Sequence, residues 1–376
     1  MSIINFSKKP LYNKPTYHPS AIVYCEKNFG RIDGKTANGL VRYSELYKIL
    51  SVIDSEKTGL DTGEVLDDKP NNIPICRDID SAIKHAGEVP EYFIFGVAPL
   101  SGMLSEKEHE IILKAMSLGM NIVNGLHEFL NDNPQFIAAS KKHNVTILDI
   151  RKPRARKDLK VFSGKINYVT CPRIAVLGTD CAIGKRTTAT VLTKALNDYG
   201  INAVMVGTGQ TGLIQGSRYG IALDSIASNF CAGEVEAEVV RAFDNENPDV
   251  IIVEGQSSLS HPAFSSSAFI LKGSCPKGIV LQHAPKRMHR CDFEQMPMPE
   301  PSSEIKLIEA FSDTKVIGLT INHEYMTKDE IDEAITRYED ELDIPATDVL
   351  TRPPERLVEM VLSAFPELKK NLPVAV

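Results

Sequence analysis

No stretch of this chain approaches the ~18 uninterrupted apolar residues that a membrane-spanning helix needs, so no transmembrane segment is expected. The N-terminal MSIINFSKKPLYNKPTYHPS is broken by prolines and polar side chains. Without a continuous apolar core it does not read as a signal peptide, and a cytoplasmic protein is expected. Positive charge is not in excess: the formal net charge is -7. That argues against a nucleic-acid scaffold, since a phosphate backbone selects concentrated Lys and Arg. The seven cysteines (Cys25, Cys76, Cys171, Cys181, Cys231, Cys275, Cys291) form no CxxC pair and have no nearby His at metal-ligand spacing, so free thiols and no metal are expected. No short-period repeat or low-complexity tract is present. The remaining composition, 43% hydrophobic and 24% charged over 376 residues, is that of a globular protein too long for one core. A small-molecule substrate is the expected partner, with no nucleic acid and no membrane, and a homo-oligomer is expected.

Along the chain, short apolar runs alternate with helical patterns. After an extended arm of about 20 residues, AIVYCE (21–26), KILSVID (48–54), YFIFGVA (92–98), MNIVNG (120–125) and VTILDI (145–150) read as buried strands, with helix patterns such as SEKEHEIILKAMSLG between them. A basic connector, RKPRARKDLK (151–160), reads as a solvated linker. The pattern then restarts with PRIAVLG, and further strands are read at INAVMVG, DVIIVEG, KGIVLQHA and TKVIGLTIN. Alternation of this kind predicts an α/β protein of two doubly wound, mostly parallel-sheet domains. The first (1–160) is Rossmann-like, and the second (161–376) is P-loop NTPase-like.

The run GTDCAIGKRTT lies between a strand and a helix, where backbone N–H groups and the helix dipole face an anion. Gly178, Thr179, Asp180, Cys181, Ala182, Ile183, Gly184, Lys185, Arg186, Thr187 and Thr188 therefore form a candidate phosphate seat. Lys185 supplies a point charge, and Thr187 or Thr188 a hydroxyl for phosphate or metal. The spacing is a variant, with five residues between Gly178 and Gly184 and with Arg186 before Thr187. Asp180 is a carboxylate inside this loop, and Glu254 ends the strand DVIIVEG where open α/β sheets place ligands; both are catalytic or metal candidates. The hydroxyl-rich QSSLSHPAFSSS offers Ser257 and His261. VGTGQTGLIQGSRYG, with Gln210, Thr211, Gly212 and Arg218, is a second glycine loop able to wrap a small carboxylate or phosphate. His283 and Arg287 in QHAPKRMHR are cationic candidates for substrate carboxylates, and Asn322 ends a late strand where a base is recognised. Glu234, Glu236 and Glu238 in GEVEAEVV read as a solvated acidic face. In the first domain the turn EKNFGRIDGKTANG lacks GxGxxG, so dinucleotide binding is not expected there. Asp54, Lys35, Thr36, Arg42 and His127 are weaker candidates.

Two resemblances add to this reading. GTDCAIGKRTT followed by VIIVEG locally resembles the nucleotide site of dethiobiotin synthetases. Across nearly the whole chain, GKTANGLVRY, VIDSEKTGLD, NGLHEFL, LDIRKP, GTDCAIGKRTTA, GTGQTG, AGEVEAE and LQHAPKR resemble a bacterial and archaeal family with a Rossmann-like N-terminal domain and a P-loop C-terminal domain. Members of it are assigned as D-glutamate N-acetyltransferases. The resemblance implies acetyl-CoA as co-substrate, with its phosphates on Gly178 through Thr188, and acetyl transfer to the amino group of D-glutamate. Such chemistry needs a base for the ammonium, for which Glu254, Asp180 and His261 are the candidates in that order. Loop amides or Arg186 would stabilise the oxyanion, and Arg218 and Arg287 would hold glutamate's carboxylates. The dethiobiotin-synthetase-like loop implies the alternative, an ATP- and Mg²⁺-dependent carboxylate ligase or kinase with the metal at Thr187 and Glu254.

Overall fold

The computed structural model describes residues 17–99 and 101–371. Most of the arm expected at the N-terminus lies outside them. Within them the chain divides into two compact units, residues 17–154 with 210–217, and residues 155–209 with 218–371.

The first unit runs β1 (Ser20–Tyr24), α1 (Lys35–Arg42), β2 (Lys48–Ile53), α2 (Thr62–Asp67), β3 (Ile75–Cys76), α3 (Ile79–Ala86), β4 (Tyr92–Phe95), α4 (Glu106–Ser117), β5 (Asn121–Asn124), α5 (Pro134–His143) and β6 (Ile147–Asp149). Its sheet is parallel in the order β3-β2-β1-β4-β5-β6, the doubly wound arrangement of Rossmann-type domains. Helices start where the sequence offers caps. Asp78 and Ser105 close capping boxes on α3 and α4, and Asn133 precedes Pro134 at the head of α5. Ile22, Val23, Phe93, Ile94, Ile122 and Val123 are fully buried, as strands covered on both faces must be.

The second unit continues with β7 (Arg173–Gly178), α6 (Lys185–Tyr199), β8 (Ala203–Gly207), α7 (Gln210–Gln215, which belongs to the first unit), β9 (Tyr219–Gly220), α8 (Ser228–Glu246), β10 (Val250–Glu254), α9 (Ser266–Ser274) and β11 (Gly278–His283). After the hairpin of β12 (His289–Arg290) and β13 (Phe293–Pro297) come α10 (Pro301–Phe311), β14 (Lys315–Ile321), α11 (Lys328–Leu342), β15 (Ala346–Asp348) and α12 (Glu355–Ala364). Seven strands pair in the order β15-β14-β11-β7-β10-β8-β9, and every pairing is parallel. Strand β7 is central, flanked by β10 and β11. The chain leaves it toward β8 on one side and returns later on the other, which makes its C-terminal end a topological switch point. Both parallel-sheet domains expected from the alternating pattern are present.

The acidic face of α8 is a correction. Glu234, Glu236 and Glu238 are buried, not solvated. Glu234 accepts the Lys160 amide, Glu236 accepts the amides of Ser163 and Ile166 and the Ser163 hydroxyl, and Glu238 takes the Gly220 amide and Arg241. Buried carboxylates persist only when their lone pairs are answered, and here the backbone of Lys160, Ser163 and Ile166 answers two of the three. A β-carbon on Gly233 would lie 2.3 Å from the Val161 carbonyl carbon, so glycine is required where the connector crosses α8. The expected linker, residues 151–160, is mostly exposed, and it is tied to α8 at its last residue, Lys160.

Candidate phosphate-loop site

Strand β7 ends at Gly178 and the chain turns through residues 179–184 into α6. Gly184, at φ 109°, caps that helix with no side-chain acceptor. The first-turn amides of α6 have no carbonyl four residues back, so they present donors to an external anion. Lys185 is buried, and its ammonium donates to the carbonyl oxygen of Asp180, bridging its own loop. Burial lowers its pKa to about 8, against the opposing pull of Cys181 and Asp180. An anion in this seat would favour the charged form further.

The back of the loop is held by groups that sequence reasoning assigned to ligands. Arg287 forks onto Glu324, with Nε to Oε1 at 2.8 Å and Nη2 to Oε2 at 3.0 Å, and also donates to the carbonyls of Cys181 and Ala182. Asn322 donates its side-chain amide to the Ile183 carbonyl at 3.1 Å. His283 is buried, pairs through Nδ1 with the Thr179 hydroxyl at 2.9 Å and meets Tyr338 edge-on. Burial, with Arg337 nearby, lowers its pKa to about 4, so it is neutral and is not a cation for carboxylates. The Thr188 hydroxyl donates to Gln282. These side chains shape the loop rather than face a ligand.

Asp180 is fully buried. Its Oδ2 accepts the Cys291 amide at 2.6 Å, while its Oδ1 has no hydrogen-bond partner among the described residues. His261 Nε2 lies 3.6 Å from that Oδ1, and Arg287 and Arg290 approach Asp180 at 3.8 and 3.9 Å. The two guanidinium groups answer the charge that would otherwise repel a phosphate. Glu254 is buried at the end of β10. Its Oε2 accepts the amides of Thr208 (2.9 Å) and Gly209 (3.2 Å). Burial raises its pKa, although those amides and the charges of Arg186 and Lys185 pull it down. Ser257, at φ 53°, is buried with its hydroxyl unpartnered among the described residues. Asp180, Cys181 and His261 come close enough together to suggest a cation site. However, His261 Nδ1 accepts the Ala263 amide at 3.2 Å, which leaves the proton on Nε2 and argues against ligation there. At the magnesium site expected from Thr187 and Glu254, Oε2 of Glu254 is already held by two backbone amides.

Other candidates fall elsewhere. Gln210, Thr211 and Gly212 are not an open loop but the first turn of α7, and the Thr211 hydroxyl pairs with that of Thr36 at 2.9 Å. Arg218 is exposed and pairs with Glu246 at 2.6 Å. Two buried residues escaped sequence reasoning. Arg290 donates to the Thr179 carbonyl and to the hydroxyls of Ser258 (2.9 Å) and Ser260 (2.8 Å). Glu304 accepts the amides of Leu259 and Ser260 and the Ser260 hydroxyl. Together they tie the serine-rich loop to the phosphate loop. The cationic run QHAPKRMHR was the signal for Arg290, whereas nothing in PEPSSEIKL marked Glu304.

A glycine-capped helix, a loop-bridging lysine and a strand-end carboxylate at the switch point of a parallel sheet define a P-loop protein, here joined to a Rossmann-like domain. The chain belongs to the DUF1611 family. The domain described as "Domain of unknown function (DUF1611_C) P-loop domain" matches residues 160–358, and the "Domain of unknown function (DUF1611_N) Rossmann-like domain" matches residues 55–153. A crystal structure of a DUF1611 family protein from Anabaena variabilis superposes with a TM-score of 0.85 at 30% identity, covering 92% of this chain and 100% of that one. A protein from Pseudoalteromonas named D-glutamate N-acetyltransferase is 34% identical over 265 residues, 69% of this chain and 77% of that protein. One of the same name from Tritonibacter scottomollicae is 29% identical over 276 residues, 71% of this chain and 79% of that protein. The family implied by the motif string is borne out.

Proposed function

We propose that this protein is an N-acetyltransferase that moves the acetyl group of acetyl-CoA to the amino group of D-glutamate, giving N-acetyl-D-glutamate. The observation that carries the reading is the shared name of two relatives aligned over about 70% of the chain. The site is compatible with it. The head of α6 and Lys185 offer an anion seat for coenzyme A phosphates, and the flexible pantetheine arm can fold back to return the thioester to the same rim. The acceptor arrives as an ammonium and must lose a proton before it attacks. Glu254 is the preferred base because burial strengthens a carboxylate as a proton acceptor and two amides fix its orientation. Asp180, with one unpartnered oxygen, is its rival. A cytoplasmic homo-oligomer acting on small molecules, without nucleic acid or membrane, completes the proposal. No helix among the described residues is long and apolar enough to cross a membrane.

The test is a paired incubation of D-glutamate with acetyl-CoA or with ATP and Mg²⁺, following thiol release and ADP. Thiol release that depends on D-glutamate and needs no nucleotide is expected. ADP formation that depends on D-glutamate, without thiol, would replace the transferase with the ligase or kinase.

A further inference from the structure

Sequence reasoning offers His261 as a base, but the surroundings of its ring point to a different role. Nδ1 accepts the Ala263 amide at 3.2 Å, so that nitrogen holds a lone pair and the ring proton of the neutral form sits on Nε2. Nε2 is buried, has no hydrogen-bond partner among the described residues and faces the equally unpartnered Asp180 Oδ1 across 3.6 Å. That distance is too long for a hydrogen bond. A buried donor and a buried acceptor are therefore both left to a ligand. Phe264 stacks on the ring at 4.7 Å and Phe293 meets it edge-on at 5.4 Å, which fixes its orientation. The charged neighbours are Asp180 from the phosphate loop, Arg290 from β12, Asp292 beside it and Lys185 at the head of α6. Burial lowers the pKa of the imidazole, Arg290 and Lys185 add to this, and the two aspartates oppose it.

We propose that His261 serves acyl transfer as a neutral hydrogen-bond donor, its Nε2–H holding the thioester oxygen, while a carboxylate acts as base. This rests on the acetyltransferase reading. The neutral amine nitrogen of the acceptor forms a bond to the carbonyl carbon, and the carbonyl π pair moves onto the oxygen, where Nε2–H stabilises it. The pair then returns, the carbon–sulfur bond breaks and coenzyme A leaves as thiolate. The proton shed by the attacking nitrogen passes to the carboxylate and on to the thiolate. The proton removed earlier from the ammonium goes to solvent, so one proton is released per turnover. Asp180 Oδ1, adjacent to Nε2, is placed to accept an N–H of the amine.

Two substitutions separate donor from base. Glutamine keeps an N–H but cannot take up a proton, and phenylalanine keeps the ring without either property. We expect His261→Gln to stay within about tenfold of wild-type kcat, and His261→Phe to lose about 10²- to 10³-fold in kcat with little change in KM for D-glutamate. Equal inactivity of the two variants, with folding verified by circular dichroism, would overturn the donor role in favour of the base. Near-wild-type turnover of His261→Phe would overturn it as well. Nitrogen-15 NMR of labelled wild-type protein between pH 6 and 8 should find Nε2 protonated and Nδ1 bare; an imidazolium or the opposite tautomer would refute the proposal without any assay. Wild-type protein that releases no thiol would sink the transferase reading itself, a failure the NMR result keeps distinct from that of His261.

Discussion

The two units share a parallel, doubly wound sheet, yet they use the turn after their first strand in opposite ways. After β1 the chain folds onto itself. Asp54, at the end of β2, is fully buried and accepts the amides of Phe29 (3.1 Å) and Glu56 (3.0 Å). A β-carbon on Gly34 would meet the Asn28 carbonyl oxygen at 2.1 Å. Polar groups of that turn are satisfied from within, and the carboxylate that would hold a ribose in a dinucleotide site is already engaged. After β7 the reverse holds: the head of α6 lacks a side-chain cap, and an acid and a histidine beside the loop leave polar atoms unpartnered. Sheet order alone therefore does not mark a binding site; the difference lies in where hydrogen-bonding capacity is left over.

That contrast can be broken experimentally. The largest effect is expected for Glu254→Gln, which should lower kcat for thiol release by about 10²- to 10⁴-fold with a small change in KM if the residue is the base. A KM change as large as the kcat change would make it a binding group. Lys185→Ala should weaken acetyl-CoA by one or two charge-assisted hydrogen bonds, about 1.5 to 3 kcal/mol each, measured by calorimetry. Unchanged affinity in a folded variant would remove the phosphate seat from this loop. A third prediction concerns pH. His283 titrates near 4 in the fold against 6.5 unfolded, so the unfolded chain binds the extra proton first and stability falls as pH drops from 6.5 toward about 4. The loss is on the order of 2 to 3 kcal/mol, and His283→Gln should flatten it in urea titrations at stepped pH. The smallest effect is expected in the first unit. Asp54→Asn should cost about 1 to 2 kcal/mol of stability in thermal unfolding while leaving the KM for acetyl-CoA unaltered; a raised KM would erase the distinction between the two turns.

Much of the fold was legible because buried parallel strands are continuous apolar runs, and all ten strands read from such runs are present. Of the five strands that were missed, β3, β9, β12 and β15 have two or three residues each, too few to carry a pattern, and β13, FEQMP, is largely exposed and lacks an apolar run. The phosphate loop was legible because a glycine, a lysine and a helix start must fall in order. Partner assignment was not. Arg287 and Asn322 carry the right chemistry for ligands, but Glu324 and the loop carbonyls compete for the same donors, and chain position does not reveal such competition. Glu304 was invisible for the same reason, since its partners lie some 45 residues upstream. The glycines of VGTGQTGLIQG suggested an open cradle, whereas the segment is helical from Gln210.

The carboxylates of α8 set a rule for anyone wishing to express the C-terminal half by itself. A polypeptide that started after Tyr168 would strip Glu234 and Glu236 of the amides that answer them, stranding two negative charges in an interior built around Val235 and Val239. A boundary upstream of Ala155 keeps Lys160, Ser163 and Ile166 with the carboxylates they answer, but α7, which belongs to the first unit, would still travel with the C-terminal half.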